Sequence, residues 1–286
     1  NRPATWGANL ARRRDVVVVS VHHRLHALGH LDLSAYGDEY AESANVGMLD
    51  IVAALRWVRD NIAEFGGDPA CVTVFGQSGG GAKVATLLAM PAARGLFHRA
   101  IVQSSSGVIN DAEKSERLSA RFLDALGVTA ANLHLLEELP VERLVAAATE
   151  VSAAPLNPGD DWRPKVDGVT ILQKPFDGAL PEPAADVPIM LGGARHEFAP
   201  EPDHGVLSDA ELHAALEHTL EPEAAAQLVA RLREMYPGIV NNELLALVNV
   251  QPFRASHMRQ ATLAAARPGA ATYVYNFAWK SPNFDG

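Results

Sequence analysis

The chain has 286 residues, long enough for one α/β domain with a sizeable core, and its 48% hydrophobic and 20% charged residues are ordinary for a globular protein. Its 24 Lys and Arg stand against 34 Asp and Glu, a net charge of -10 that disfavours nucleic acid and anionic membrane surfaces as partners. No apolar run approaches the length of a bilayer span, and the single cysteine, Cys71, excludes an internal disulfide and a cysteine-built metal centre.

The expected elements alternate along the chain. "DVVVVSV" at 15–21 reads as a fully buried strand. Residues 47–62 repeat apolar positions at helical spacing through Met48, Ile51, Val52, Leu55, Val58 and Ile62. "FGGDP" breaks the chain before a strand at 71–77, and a helix follows the glycines 79–81. "AIVQS" at 100–104 is a further short strand, with helices expected near 111–126 and 141–150. Seven prolines between Pro155 and Pro188 mark a long irregular passage. "VPIMLGG" at 187–193 returns to the sheet. Helices follow near 208–219, 222–235, 241–249 and 254–266, and "ATYVYNFAW" at 271–279 is a last strand. Apolar strands alternating with helices predict an α/β fold, a mostly parallel sheet with helices on both faces. The expectation is a single domain over 1–286, without internal repeat.

"CVTVFGQSGGGAKV" carries the chemistry. A strand-like run meets Gly76-Gln77-Ser78-Gly79-Gly80, and a helix opens behind it. A serine on so sharp a strand-to-helix turn is pushed out with its hydroxyl exposed, and small neighbours let strand and helix pass closely. The free N–H groups and positive end of the helix suit a developing oxyanion. A phosphate-binding loop is excluded: Ala82 stands where its lysine belongs, and Lys83 is followed by Val84 rather than a hydroxyl residue. No Gly-x-Gly-x-x-Gly follows a strand, so a dinucleotide site is not indicated.

From Arg14 onward the chain resembles the type-B carboxylesterases of the α/β-hydrolase superfamily. The likeness rests on "DVVVVSVHHRLHALGHLDL", "NVGMLDIVAALRWVRDNIAEFGGDPACVTVFGQSGGG", "RGLFHRAIVQSSSG", "VDG" at 166–168 and "TYVYNFAWKSPNFDG". It implies an α/β-hydrolase fold, here incomplete. It also implies hydrolysis of small-molecule carboxylic esters through an acyl-enzyme, with no metal or organic cofactor. Ser78 matches the nucleophile, and Gly79 the residue whose N–H donates to the oxyanion. Glu197, in "IMLGGARHEF", matches the acid that orients a histidine, and Ser104 a serine that hydrogen-bonds this acid. The other reading the resemblance leaves open is a catalytically inactive binding or adhesion module. The lone cysteine argues against an extracellular adhesion domain and favours a cytoplasmic location. Nothing in the residues fixes an oligomeric state.

The departures are specific. Gln77 replaces the family's usual Glu, removing a negative charge that would attract a choline-like cation. His22 and His23 replace an Asn-Tyr pair and join His26 and His30. They lie where a strand runs into a loop, without a carboxylate or thiol to complete a set, so no metal site is expected. Arg24 matches an arginine that pairs with the acid of "GMLD", Asp50. The family's oxyanion loop, a His-Gly-Gly segment, is expected upstream of Asn1, and its Gly-x-x-His base downstream of Gly286. The chain is thus expected to be a central part of a larger esterase, nearly inactive alone. After Glu197 only His204, His213, His218 and His257 remain as bases, none in a Gly-x-x-His setting, and His98 and His196 come in the wrong order.

Overall fold

The computed structural model describes residues 7–105, 107–153, 157, 160–178, 182–197, 205–218 and 220–279. His204 and the "SPNFDG" ending lie outside the described residues. The elements follow the expected alternation: α3 (Val46–Asn61), β1 (Thr73–Gln77), α4 (Gly79–Leu87), β2 (Arg99–Gln103), α5 (Ala112–Leu126), α7 (Val141–Ala153) and β3 (Ile189–Ala194). Then come α8 (Asp209–Glu217), α9 (Pro222–Met235), α10 (Asn241–Asn249), α11 (Gln251–Ala265) and β4 (Thr272–Phe277). Three short helices were not expected: α1 (Ala8–Arg14), α2 (His26–His30) and α6 (Leu135–Glu138).

The four strands form one parallel sheet in the order β1-β2-β3-β4, flanked by helices in an α/β architecture. Val74, Ala100, Ile189 and Thr272 lie in register on one face, with Gly76, Val102, Leu191 and Val274 one pleat further on. Strand side chains alternate in direction, so Phe75, Ile101, Met190 and Tyr273 share the opposite face. The two faces are covered unequally. On the first, α4 packs on β1 and β2 and α11 on β3 and β4. Met48, Val52 and Leu55 of α3, Val84, Ala85 and Leu87 of α4, and Ala261 and Ala264 of α11 close a core over Ala100, Val102, Ile189 and Leu191. On the second face Phe75, Met190, Tyr273 and Phe277 are exposed by 53%, 38%, 57% and 57%.

The segment 15–21 is a correction. No strand forms there, and Val16, Val17, Val19 and Val21 are exposed. A strand needs a ladder partner as well as apolar residues, and β1 pairs only with β2. Val18 instead packs under the start of α1, where a side chain on Gly7 would collide with it.

Two smaller cores stand apart from the sheet. Leu118 and Phe122 of α5, Ala148 and Val151 of α7, and Trp162 form one, with the Trp162 ring edge-on to Phe122. The other joins Leu212 and Leu216 of α8, Val229 of α9 and Leu244 of α10. The irregular passage is tied back by a buried ion pair, Lys165 Nζ to Asp32 Oδ2 at 2.6 Å. Beside it Asp167 accepts the N–H groups of Val169, Thr170 and Ile171, and the Asn45 amide. Among the described residues no helix is long and apolar enough to cross a membrane.

Candidate active site

Ser78 occupies the junction of β1 and α4 with φ 56° and ψ −120°. This lies outside the regions open to L-residues and costs on the order of 1–3 kcal/mol. Neighbouring hydrogen bonds hold the residue there. Its N–H donates to the Gln103 carbonyl of β2 at 2.9 Å, and its carbonyl accepts the Ala82 N–H at 3.0 Å. The glycines divide the work. A side chain on Gly76 would strike the Gly80 backbone, and one on Gly81 would lie 2.7 Å from Ser105 Cβ. Gly79 and Gly80 have nothing within 4 Å of such a position. Strand and helix therefore touch at Gly76, while the surface above Gly79 is open. Gly79 is the first residue of α4, so its N–H has no partner within the helix. The Ser78 side is exposed, as a nucleophile must be to meet a substrate.

Glu197 follows β3 by three residues. Because β1, β2 and β3 are parallel, Ser78, Ser104 and Glu197 all come at the C-terminal edge of the sheet. The Glu197 carboxylate accepts the Ala194 N–H at 2.7 Å. Among the described residues no hydrogen bond joins it to the Ser104 hydroxyl, which differs from expectation. Ser104 instead has φ 49°, a turn conformation, and its N–H donates to the Gly192 carbonyl at 2.7 Å. Tyr275 of β4 lies across Gly192, where a side chain would fall 2.5 Å from its ring. Burial, assisted by the Glu197 charge, raises the Tyr275 pKa.

The histidines separate. His257 of α11 is buried beside Glu197, and its Nε2 accepts the Ser105 N–H at 3.1 Å. Burial lowers its pKa, against the opposing pull of the Glu197 charge. His98 accepts the Val72 N–H, His196 lies 3.7 Å from Glu243, and His213 is on α8. No described imidazole bonds the Ser78 hydroxyl. The four-histidine cluster is also dispersed: His30 is buried on the Ala44 carbonyl, and His26 faces Ser152 and Trp162. Among the described residues no three His, Cys, Asp or Glu side chains are placed to hold a metal ion. Arg24 does pair with Asp50, through two side-chain bonds of 2.7 and 2.9 Å and its own N–H.

The Carboxylesterase family profile matches residues 3–285. The chain belongs to the carboxylesterase family. It is 34% identical over 293 residues to the para-nitrobenzyl esterase of Bacillus subtilis (strain 168), an alignment covering all of this chain and 58% of that protein. It is 38% identical over 200 residues to human carboxylesterase 3, covering 68% of this chain and 33% of that one. Among solved structures, an esterase from Clostridium hathewayi described as able to hydrolyse aliphatic aromatic polyesters superposes with a TM-score of 0.78. Its identity is 38%, over 97% of this chain and 56% of that one. The Geobacillus stearothermophilus carboxylesterase gives 0.74 at 33% identity, over 98% and 59%. The chain thus spans less than two thirds of the length of these relatives.

Proposed function

We propose that the chain is the central part of a serine carboxylesterase, lying within a single α/β-hydrolase domain, and that Ser78 is its nucleophile. The observation that carries this reading is the strained, exposed Ser78 at the β1–α4 turn, built with Gly76 and Gly81 packed beneath it. Ser78 Oγ attacks the carbonyl carbon of a carboxylic ester, the Gly79 N–H stabilises the oxyanion, and the alcohol leaves. Water then hydrolyses the acyl-enzyme. Glu197 is the acid that orients the base. The base is read as a histidine in the part of the esterase that this chain, 58% of the length of the Bacillus subtilis relative, does not cover; among the described residues no imidazole meets the Ser78 hydroxyl. Gln77 leaves the elbow without the extra anion, which favours neutral over cationic esters. The lone cysteine supports a reducing, cytoplasmic setting.

Residues 1–286 alone are then nearly inactive. Removing the triad histidine from another serine hydrolase costs on the order of 10⁶ in kcat. A Ser78 hydroxyl without an imidazole partner among the described residues is also what an inactive binding module would show, so the test must read the serine itself. A serine-directed phosphonate should label Ser78 in the longer protein and leave Ser78→Ala unlabelled. A longer protein that stays unlabelled is the binding module, and the esterase reading falls. Ester turnover by residues 1–286 that Ser78→Ala abolishes would refute the missing-base reading.

A further inference from the structure

β2 ends at Gln103, whose carbonyl accepts the Ser78 N–H, and the Ser104 N–H donates to the Gly192 carbonyl of β3. Ser105 lies past the end of that ladder yet is only 4% exposed. Its N–H and carbonyl therefore need partners from elsewhere. Both come from α11. His257 Nε2 accepts the Ser105 N–H at 3.1 Å, and Gln260 Nε2 donates to the Ser105 carbonyl at 3.2 Å. Three residues apart on a helix, the two side chains share one face and grip the same residue. Both are buried, and the Gln260 amide is fixed further by a 3.0 Å bond from Nε2 to Ser256 Oγ.

The gripped residue lies against the start of α4. A side chain on Gly81 would come 2.7 Å from Ser105 Cβ and 2.9 Å from the Gln103 carbonyl oxygen. One on Gly107, whose N–H donates to Ser105 Oγ, would meet Ala85 of the same helix at 3.7 Å. Contact thus runs unbroken from α11 through Ser105 to Gly81, and through Gln103 to the Ser78 N–H.

We infer that His257 and Gln260 are positioning residues for the nucleophile elbow: they clamp the N–H and carbonyl of Ser105, and Ser105 fixes where α4, with Ser78 at its head, rests on β2. Their importance for turnover rests on the reading of Ser78 as the nucleophile. The clamp itself does not.

Amide hydrogen exchange in the 286-residue chain tests the clamp. His257→Leu and Gln260→Met each remove one buried bond at similar volume, and each should speed exchange of the Ser105 and Ser78 N–H groups about tenfold. The Ile189 N–H, bonded to the Ala271 carbonyl in the same sheet, reports general loosening and should not follow. His257→Gln, whose side-chain oxygen still accepts, should keep the elbow amides slow. In the longer protein the Leu and Met variants should slow the covalent step of phosphonate labelling at Ser78 by about 10- to 100-fold. The half-saturating phosphonate concentration should stay unchanged, and His257→Gln should restore the rate. A Ser78 N–H indifferent to both substitutions in folded variants, equal acceleration at Ile189, or slow labelling that His257→Gln does not restore overturns the proposal. Responsive amides with an unlabelled parent would defeat the esterase reading alone. A labelled parent whose Leu and Met variants label equally fast would defeat the positioning role alone.

Discussion

Along β3, Ile189 and Leu191 are fully buried while Met190 between them is half exposed. The neighbouring strands repeat the contrast, with Val102 buried on β2 and Phe75 open to solvent on β1, whereas on the edge strand β4 both Tyr273 and Val274 are exposed. All these residues are apolar or aromatic, so composition does not separate the two faces. The helices do, because α3, α4 and α11 pack on one side. Large side chains on the other side need a further layer of protein, which fits the proposal that the longer esterase supplies it. An apolar strand reports that something should cover it and is silent about what. The exposed valines at 15–21 make the same point.

Four perturbations would break or sharpen this contrast. The largest effect is expected at the buried ion pair. Asp32→Ala strands the Lys165 ammonium and should cost about 3–5 kcal/mol in urea unfolding. Asp60→Ala, at an exposed Arg59 pair, should leave the unfolding midpoint unchanged. Leu191→Ala comes next, at about 2–5 kcal/mol, against under about 1 kcal/mol for Met190→Ala on the same strand. Equal losses at 190 and 191 would mean that both faces are packed alike.

The third concerns pH. Burial lowers the His30 pKa to about 4, against the raising effect of its hydrogen bond to Ala44. The unfolded ring binds a proton near pH 6.5 and the folded one does not, so stability is full above that value. It should fall as pH drops from about 6.5 to 4, by on the order of 3 kcal/mol in total. If unfolding midpoints of the parent and His30→Gln run parallel across that window, His30 does not titrate this way. The smallest effects separate two glycines of one loop. Gly76→Ala meets backbone and should cost about 1–3 kcal/mol, whereas Gly79→Ala enters open space and should be neutral within about 0.5 kcal/mol. A costly Gly79→Ala would show that the open surface above α4 is in fact closed.

Much of the fold was legible because its signals are local. The helix at 46–61 follows from apolar spacing alone, and the β1–α4 turn from glycines that only a close approach requires. Pairing was not legible at 15–21, where a run of valines has no ladder partner. The site divides in the same way. Ser78 is marked by its neighbours in sequence, and Glu197 could be placed past a strand by resemblance. The His257 contact depends on a backbone N–H 152 residues away, at Ser105, for which the sequence carries no spacing rule. The Ser104 hydroxyl bond was inferred from resemblance, and the structure seats Glu197 on Ala194 instead.

The backbone at position 78 has a consequence for what selection could have placed there. Glycine tolerates positive φ without steric penalty, so Ser78→Gly should relieve local strain while leaving the strand, the helix and their hydrogen bonds intact. Folding alone would thus be served better by glycine, extending the run already present at 79–81. A hydroxyl kept where the chain would be more stable without it marks a residue whose worth lies outside the folding free energy.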